Sequence, residues 1–518
     1  MRVLRTPHEA ADWLRARVRG DVHCDSRKVG AGDGFIAWPG AATDGRKFVP
    51  GALRQGATAC LVEAAGSEAF HFASDAVAAY EGLKAATGPI GALFYGEPSH
   101  GLDVLAVTGT NGKTSTAWWL AQALANVGLP CGLVGTLGIG RPPHVQHTGL
   151  TTPDPVLMQR HFRRFLDEGA QACAIEASSI GIVERRLDGT RIRVAGFTNF
   201  TQDHLDYHGS MEAYWAAKEE LFDWPGLQAA VVNVDDAQGE RLEARLWGGP
   251  VDLWTVSCVR DARLRALDIG YGDEGLRFTL AEAGDGQTHV LQTKLVGQYN
   301  VSNLLGVVGM MRAVGVPLAQ AVAACADLLP VPGRMERLVE PGRPLVAVDY
   351  AHTPDALEKG LQALRPLAAQ RGGQLWCVFG CGGDRDATKR PLMAAVAEKN
   401  ADRVVVTSDN PRSEKPEAII SQILLGLSHR ECVQVEADRA RAIAETIQAA
   451  AAGDVILLAG KGHEDYQEIA GVKHPFSDQA HARQALVNYA QRSSSPLPRP
   501  LAGEGRGEGA RESKEARK

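Results

Sequence analysis

The run Val104-Leu105-Ala106-Val107-Thr108-Gly109-Thr110-Asn111-Gly112-Lys113-Thr114-Ser115 joins an apolar strand to a glycine-containing loop, a lysine and two hydroxyls. That order suits a triphosphate. Glycines let backbone amides close around phosphate oxygens, and a helix starting just after the loop adds partial positive charge. Lys113 is placed to neutralise β- and γ-phosphates, and Thr114 or Ser115 to reach Mg²⁺. The general phosphate-loop pattern carries a further glycine where this chain has Val107, so the loop is a shorter variant. ATP and GTP fit it equally well.

A second group of residues lies near the other end. Four later apolar runs pass directly into polar residues: Asp349-Tyr350-Ala351-His352, Gly382-Gly383-Asp384-Arg385, Ser408-Asp409-Asn410-Pro411-Arg412 and Gly460-Lys461-Gly462-His463-Glu464. In open parallel sheets ligands bind outside the carboxyl ends of the strands. One such ending is an ordinary turn, whereas four in one region imply a shared site. Between the two groups, His204 and His208 have helical spacing that suits zinc or a helix cap. No HExxH glutamate accompanies them, and hard oxygen ligands beside a triphosphate favour Mg²⁺. Lys218, read alone, is a solvated helix lysine.

The elements that must hold these residues follow a βα alternation, the mark of parallel α/β architecture. Strands are expected at Val104–Val107, Ala172–Ile175, Val194–Phe197 and Ala230–Val234, and again at Leu345–Val348, Leu375–Phe379, Val404–Thr407 and Val455–Leu458. Gly34–Trp38 and Ala57–Val62 belong to a smaller α/β unit. At 518 residues the chain is long enough for about three domains. We place them at 1–100, 101–333 and 334–492, with the second boundary at Val331-Pro332-Gly333, and expect a disordered tail over 493–518 because it lacks aromatics.

Bulk properties narrow the function. A net charge of -6 gives no reason to expect a nucleic-acid partner. The first residues lack an apolar signal core, and no apolar window is long enough to span a membrane. Nine cysteines are scattered singly, and Cys377 and Cys381 lack zinc-site spacing, which fits a reducing cytoplasm.

The loop Thr108–Ser115 resembles the nucleotide loop of the Mur ligases and the related folylpolyglutamate synthetases. The similarity continues through Glu176-Ala177-Ser178-Ser179, Thr198–Gly209, Gly297–Asn303, Gly333-Arg334-Met335-Glu336, the segment from Asp349 and Gly460–Tyr466, covering essentially residues 20–490. It implies a three-domain fold with a central phosphate-loop-type parallel sheet and a Rossmann-like C-terminal domain. It also implies a cytoplasmic, monomeric ATP-dependent ligase that activates a carboxylate as an acyl phosphate and lets an amine attack it. Cys24-Asp25-Ser26-Arg27 and Asp409-Asn410-Pro411-Arg412 resemble the members that add meso-diaminopimelate to UDP-N-acetylmuramoyl-L-alanyl-D-glutamate in peptidoglycan synthesis.

On that resemblance Lys113, Glu176, His204 and Lys218 are catalytic. Gly109, Thr110, Asn111, Gly112, Lys113, Thr114, Ser115, Asn300, Arg334, Asp349 and His352 bind ATP. Mg²⁺ falls to Thr114, Ser115, Glu176, His204 and a carbamylated Lys218 (N6-carboxylysine). Cys24, Ser26, Thr151, Thr152, Ser178, Glu184 and Arg186 take the UDP-dipeptide. Arg385, Asp409, Asn410, Pro411, Arg412, Gly460 and Glu464 take diaminopimelate. The amino-acid assignment also has a physical basis: Arg412 offers a planar fork to the distal carboxylate, where lysine would bring only a like charge. The chain departs from the family pattern at Ile180, Glu184 and Ala41-Ala42-Thr43. Two other readings are a folylpolyglutamate-type ligase, which would need neither the Asp25-Ser26-Arg27 stretch nor Arg412, and a catalytically silent nucleotide-binding homologue.

Overall fold

The computed structural model describes residues 1–40, 43–271, 275–284, 286–429 and 433–489; Ala41, Ala42 and the tail from 493 lie outside these. Among the described residues the strands form three larger sheets, of five, eleven and six strands, and one short hairpin. The first sheet draws on residues 2–80, the second on 103–292 and the third on 336–459.

The second sheet is built around the strand Asp103–Thr108, flanked in parallel by Ala172–Glu176 and Val194–Phe197. Val104, Leu105, Ala106 and Val107 are all fully buried, which is why the run is continuously apolar rather than alternating. Each such Val or Leu contributes roughly 1.5–3 kcal/mol through burial. Glu176 pairs with Val107 and Phe197 with Thr108, so three strands end at one level. The helix Lys113–Asn126 starts directly at the loop; Trp118, Trp119 and Leu120 bury it against the core that also takes the helix Tyr299–Ala313.

The expected strands are all present, with ends shifted by a residue or two; Ala57–Val62, for instance, becomes Ala59–Glu63. The antiparallel extension Leu264–Tyr271, Leu276–Glu282 and Thr288–Gln292 was not expected. Its side chains alternate between buried and exposed over polar stretches, so it carries no apolar run.

In the third sheet Leu345–Asp349, Val455–Ala459, Leu375–Phe379 and Arg403–Val406 lie parallel in that spatial order. Asp349 and Phe379 both pair with Ala459, which brings the polar endings together. Beneath those endings Arg439 donates to the Asp478 carboxylate at 2.7 and 2.8 Å, to Ala459 O at 2.9 Å and to Ser408 O at 3.3 Å. Both charged side chains are fully buried. A buried pair adds little over an apolar substitute, but removing one partner strands the other charge. Arg439→Met is therefore expected to destabilise the third sheet by about 3–5 kcal/mol, read as a lowered urea midpoint.

Candidate active site

Gly109 and Gly112 turn the loop with φ of +141° and +87°. At Gly109 a Cβ would also overlap the Thr198 hydroxyl, so only glycine fits. The Lys113 ammonium folds onto the loop, donating to Gly109 O at 2.9 Å and Thr110 O at 2.8 Å. Lys218, 1% exposed, donates to the same Gly109 O at 2.7 Å and lies 4.3 Å over the Tyr214 ring. Far from being solvated, it is among the most buried side chains. Burial, reinforced by the Lys113 charge, pushes the Lys218 pKa well below its ordinary value. Burial also lowers that of Lys113, against the pull of Glu176 and Asp203.

Glu176, 2% exposed, accepts from Thr114 Oγ1 at 3.0 Å, Thr136 Oγ1 at 3.1 Å and Thr136 N at 2.8 Å. Thr114, rather than Ser115, is the hydroxyl brought to this carboxylate. Arg334 reaches across to donate to Thr114 Oγ1 at 3.0 Å, with its guanidinium 4.4 Å over Tyr350. Among the described residues no three His, Cys, Asp or Glu side chains converge as a self-sufficient metal site. What Thr114 and Glu176 present is a partial set of hard oxygens, which fits Mg²⁺ sharing its coordination with phosphate oxygens and water.

His204 and His208 both pack against Tyr214, with ring centroids 6.0 and 5.1 Å from it, but take different polar partners. His204 takes a left-handed φ of +54° before the turn Leu205–His208, while His208 contacts Ser179 Oγ at 2.9 Å. Burial drives the His204 pKa down to about 4, opposed by Asp203, so the ring is neutral near pH 7. Asp203 was missed as a site residue although it precedes His204. Burial works against its ionisation, but His352 at 3.6 Å, His204 at 3.5 Å and Lys389 at 4.0 Å together hold its pKa far below the usual range. Lys389 was missed too, because it begins a helix whose sequence marks no site.

Two cavities meet at Asp203, His204, Tyr350 and His352. One, of about 410 Å³, is lined by Thr110–Ser115, Glu176, Asn300, Arg334 and Asp349, and includes Thr151 and Ser178. The other, of about 180 Å³, is lined by Arg385, Asp409, Asn410, Arg412, Gly460 and Glu464. Asn300 donates to Val296 O at 2.7 Å and accepts from Asn303 at 2.9 Å, and Asp349 accepts Met335 N at 2.7 Å. Burial raises the Asp349 pKa, with Arg334 opposing.

In the smaller cavity Glu464 is held by the fully buried Lys461 at 3.0 Å and by Asn410 at 2.8 Å. Eight expected residues line neither cavity: Gly109, Lys218, Cys24, Ser26, Thr152, Glu184, Arg186 and Pro411. The Thr152 hydroxyl donates to Glu176 O at 2.7 Å and accepts from Ser178 N at 3.2 Å, and Arg186 donates to Thr152 O at 3.0 Å. They brace the larger cavity from behind. Glu184 pairs with Lys84 at 2.7 Å and accepts from Tyr207 at 2.5 Å.

Burial keeps four imidazoles hard to protonate: His161 and His204 down to about 4, His463 to about 3, and His208 in the same direction. The unfolded chain takes up those protons near pH 6.5. Stability is thus complete above that value and declines as pH falls toward about 4. Urea midpoints should drop between pH 7.5 and pH 5, and His463→Gln should flatten the slope; a pH-independent midpoint would contradict the buried neutral rings.

A family model described as Mur ligase middle domain matches residues 107–311, one described as Mur ligase, glutamate ligase domain matches 333–462, and one described as Mur ligase family, catalytic domain matches 21–86. The UDP-N-acetylmuramoyl-L-alanyl-D-glutamate--2,6-diaminopimelate ligase of Acidovorax sp. (strain JS42) is 63% identical over 494 residues, 94% of this chain and 98% of its own. Its namesake from Pseudomonas aeruginosa is 48% identical over 470 residues, 90% of this chain and 95% of its own. A solved ligase structure of the same name is 35% identical, with a TM-score of 0.62 over 90% of this chain and 94% of that one. MurF from Acinetobacter baumannii, 18% identical, has a TM-score of 0.66 over 93% of this chain and 98% of its own, a likeness of fold alone.

Proposed function

Because the chain belongs to the Mur ligase family, we propose that it is the ATP-dependent ligase joining meso-diaminopimelate to UDP-N-acetylmuramoyl-L-alanyl-D-glutamate. The observation that carries this reading is the meeting of the two cavities at Asp203 and His204. A phosphate-loop pocket opens directly onto one lined by two guanidiniums, Arg385 and Arg412, and by carboxylates that include Asp409 and Glu464, so an activated acyl group and an amine can face each other. The convergence of Lys113, Glu176 and Lys218 on one loop speaks against a silent homologue, and Arg412 against a folate acceptor.

In this reading the loop Gly109–Gly112 and Lys113 hold the triphosphate, with Asn300 and Asp349 toward the nucleoside side and His352 toward the phosphates where the two cavities meet. Arg334 bridges to Thr114 and stabilises charge that develops on transfer. The dipeptide carboxylate takes the terminal phosphoryl group from ATP, releasing ADP and forming an acyl phosphate. The amine of diaminopimelate then attacks the acyl carbon, phosphate leaves, and the amine nitrogen loses a proton. Thr114, Glu176 and His204 would hold Mg²⁺, which when bound offsets the repulsion between triphosphate and carboxylate; Ser115 lies beside them.

Burial holds the Lys218 pKa well below its ordinary value, which favours the amine form that captures CO₂ as a carbamate, and the product would be a further anionic ligand. Arg412 and Arg385 take the carboxylates of the amino acid, Asp409 and Glu464 its ammonium, while Asn410, Pro411 and Gly460 shape the pocket. Thr151, Thr152, Ser178, Glu184 and Arg186 would meet the muramoyl dipeptide, and Cys24 and Ser26 the uridine diphosphate. We read residues 1–100, 101–333 and 334–492 as the corresponding domains of a cytoplasmic monomer. Among the described residues no helix is long and apolar enough to cross a membrane.

Phosphate release should require ATP, the UDP-dipeptide and diaminopimelate together; release that ignores the amino acid, or none at all, would overturn the proposal. Lys113→Ala should lower kcat by about a thousandfold, since it removes a positioned charge from the phosphates. Arg412→Ala should cut the preference for meso-diaminopimelate over L-lysine by about a hundredfold, the scale of a lost charge-assisted bidentate contact. Lys218→Ala should be inactive and partly restored by short carboxylic acids; full activity without them would rule out the carbamate.

A further inference from the structure

Arg412 adopts a left-handed backbone, φ +52°, which a long side chain takes only when its surroundings enforce it. Its N donates to Glu468 O at 3.0 Å and its O accepts from Ala470 N at 2.7 Å, fixing the residue to the hairpin Tyr466–Pro475. Its Nη1 donates to Gly383 O at 2.7 Å, while Nε lies 3.7 Å from Glu468. Among the described residues Nη2 has no acceptor, so one edge of the fork stays open toward the smaller cavity. The direction of that fork depends on how Gly382–Asp384 is held against Asn410–Glu414.

Those two loops are interlocked. Gly383 N donates to Asn410 O at 2.9 Å, and a Cβ on Gly383 would overlap Pro411 O. Ser413 donates to the Asp384 carboxylate through its hydroxyl at 2.6 Å and its amide at 3.1 Å. Underneath lies Arg390, 1% exposed and 22 residues before Arg412 in the chain. Its two terminal nitrogens donate to both Glu414 oxygens at 2.8 and 2.9 Å, to Gly382 O at 3.0 Å and to Gln422 Oε1 at 2.7 Å. Glu414 Oε1 in turn accepts Asp384 N at 2.7 Å. One guanidinium therefore ties the end of one strand to the end of the next, on the far side from the cavity.

We infer that Arg390, acting through Glu414 and Asp384, is a positioning residue that aims Arg412 at the distal carboxylate of the incoming amino acid. This rests on the reading of the smaller cavity as the diaminopimelate pocket. A planar fork is required, because a lysine ammonium is a point donor that cannot span Glu414 and Gly382 O together. With the fork gone, the loops lose their common anchor, and Gly383 O no longer holds the Arg412 guanidinium in one direction. Nothing in this arrangement touches the phosphate loop.

Steady-state kinetics of Arg390→Lys separates this from a purely structural role. The KM for meso-diaminopimelate should rise about tenfold, the scale of losing one charge-assisted contact, while the KM for ATP stays within about twofold. The preference over L-lysine should shrink in parallel. Ser413→Ala, an exposed site that cannot disrupt the core, should raise the same KM by about threefold, the scale of one neutral hydrogen bond.

A uniform fall in kcat with unchanged KM, or unaltered selectivity in both variants, overturns the inference while leaving the ligase reading intact. Should Arg390→Lys fail to fold, an unchanged KM in Ser413→Ala alone is enough to overturn it. A wild-type chain that ligates no diaminopimelate removes the ligase reading and this inference together.

Discussion

Two lysine ammoniums share one backbone carbonyl, Gly109 O, and the rest of the site is arranged around that crowding. Lys113 and Lys218 repel one another, and both lie where water is largely excluded. A folded protein tolerates such a pair only with counter-charge at hand, and Glu176 and Asp203 supply part of it. A triphosphate would supply the remainder. The loop brings Gly109 O to both lysines, its Thr110 and Asn111 amides are held by Asn199 at 2.8 and 2.9 Å, and Thr198 closes it off at 2.6 Å on Asn111 O.

The two halves of the site come from different sheets and are joined by few contacts. Arg334 to Thr114, Asn111 to Asp355 at 2.9 Å and Gln202 to Asp386 at 3.2 Å are polar, made from loops and the first turns of helices. An acyl phosphate must be shielded from water while it waits for an amine, yet its products must leave. A seam of separate hydrogen bonds suits both needs better than a fused apolar core, because each bond is individually weak and exchangeable with water.

Much of this was legible in the residues themselves. Strands buried on both faces announce themselves as apolar runs, and their polar endings named Asp349, Arg385, Asp409 and Glu464 before any coordinates. The antiparallel strands over 264–292 were hidden because one face is wet. Taken alone Lys218 passes for a solvated helix lysine, and only the family resemblance marked it as catalytic, since sequence periodicity says which face a residue occupies but not what that face meets. Arg390 was invisible, and Lys461 was seen only as part of a strand ending, for a related reason: a buried cation is defined by partners distant in the chain, Glu414 and Gln422 in one case, Asn410 in the other.

That pattern has a physical cause. Groups that touch ligands sit at strand ends, where local sequence already specifies a turn, so their chemistry and their position are written in the same few residues. Groups that aim them sit one layer below, on helices whose local sequence demands only a helix. Arg439 illustrates the consequence: it is fully buried, bonded to the ends of two site strands and to Asp478, yet its neighbours Ala440 and Arg441 mark only an ordinary helix start. Buried charge on such a helix is costly unless every donor finds an acceptor. Its presence under a strand end is therefore evidence that the loop above must be held in one conformation, and that constraint is readable only once the sheets have brought the strand ends together.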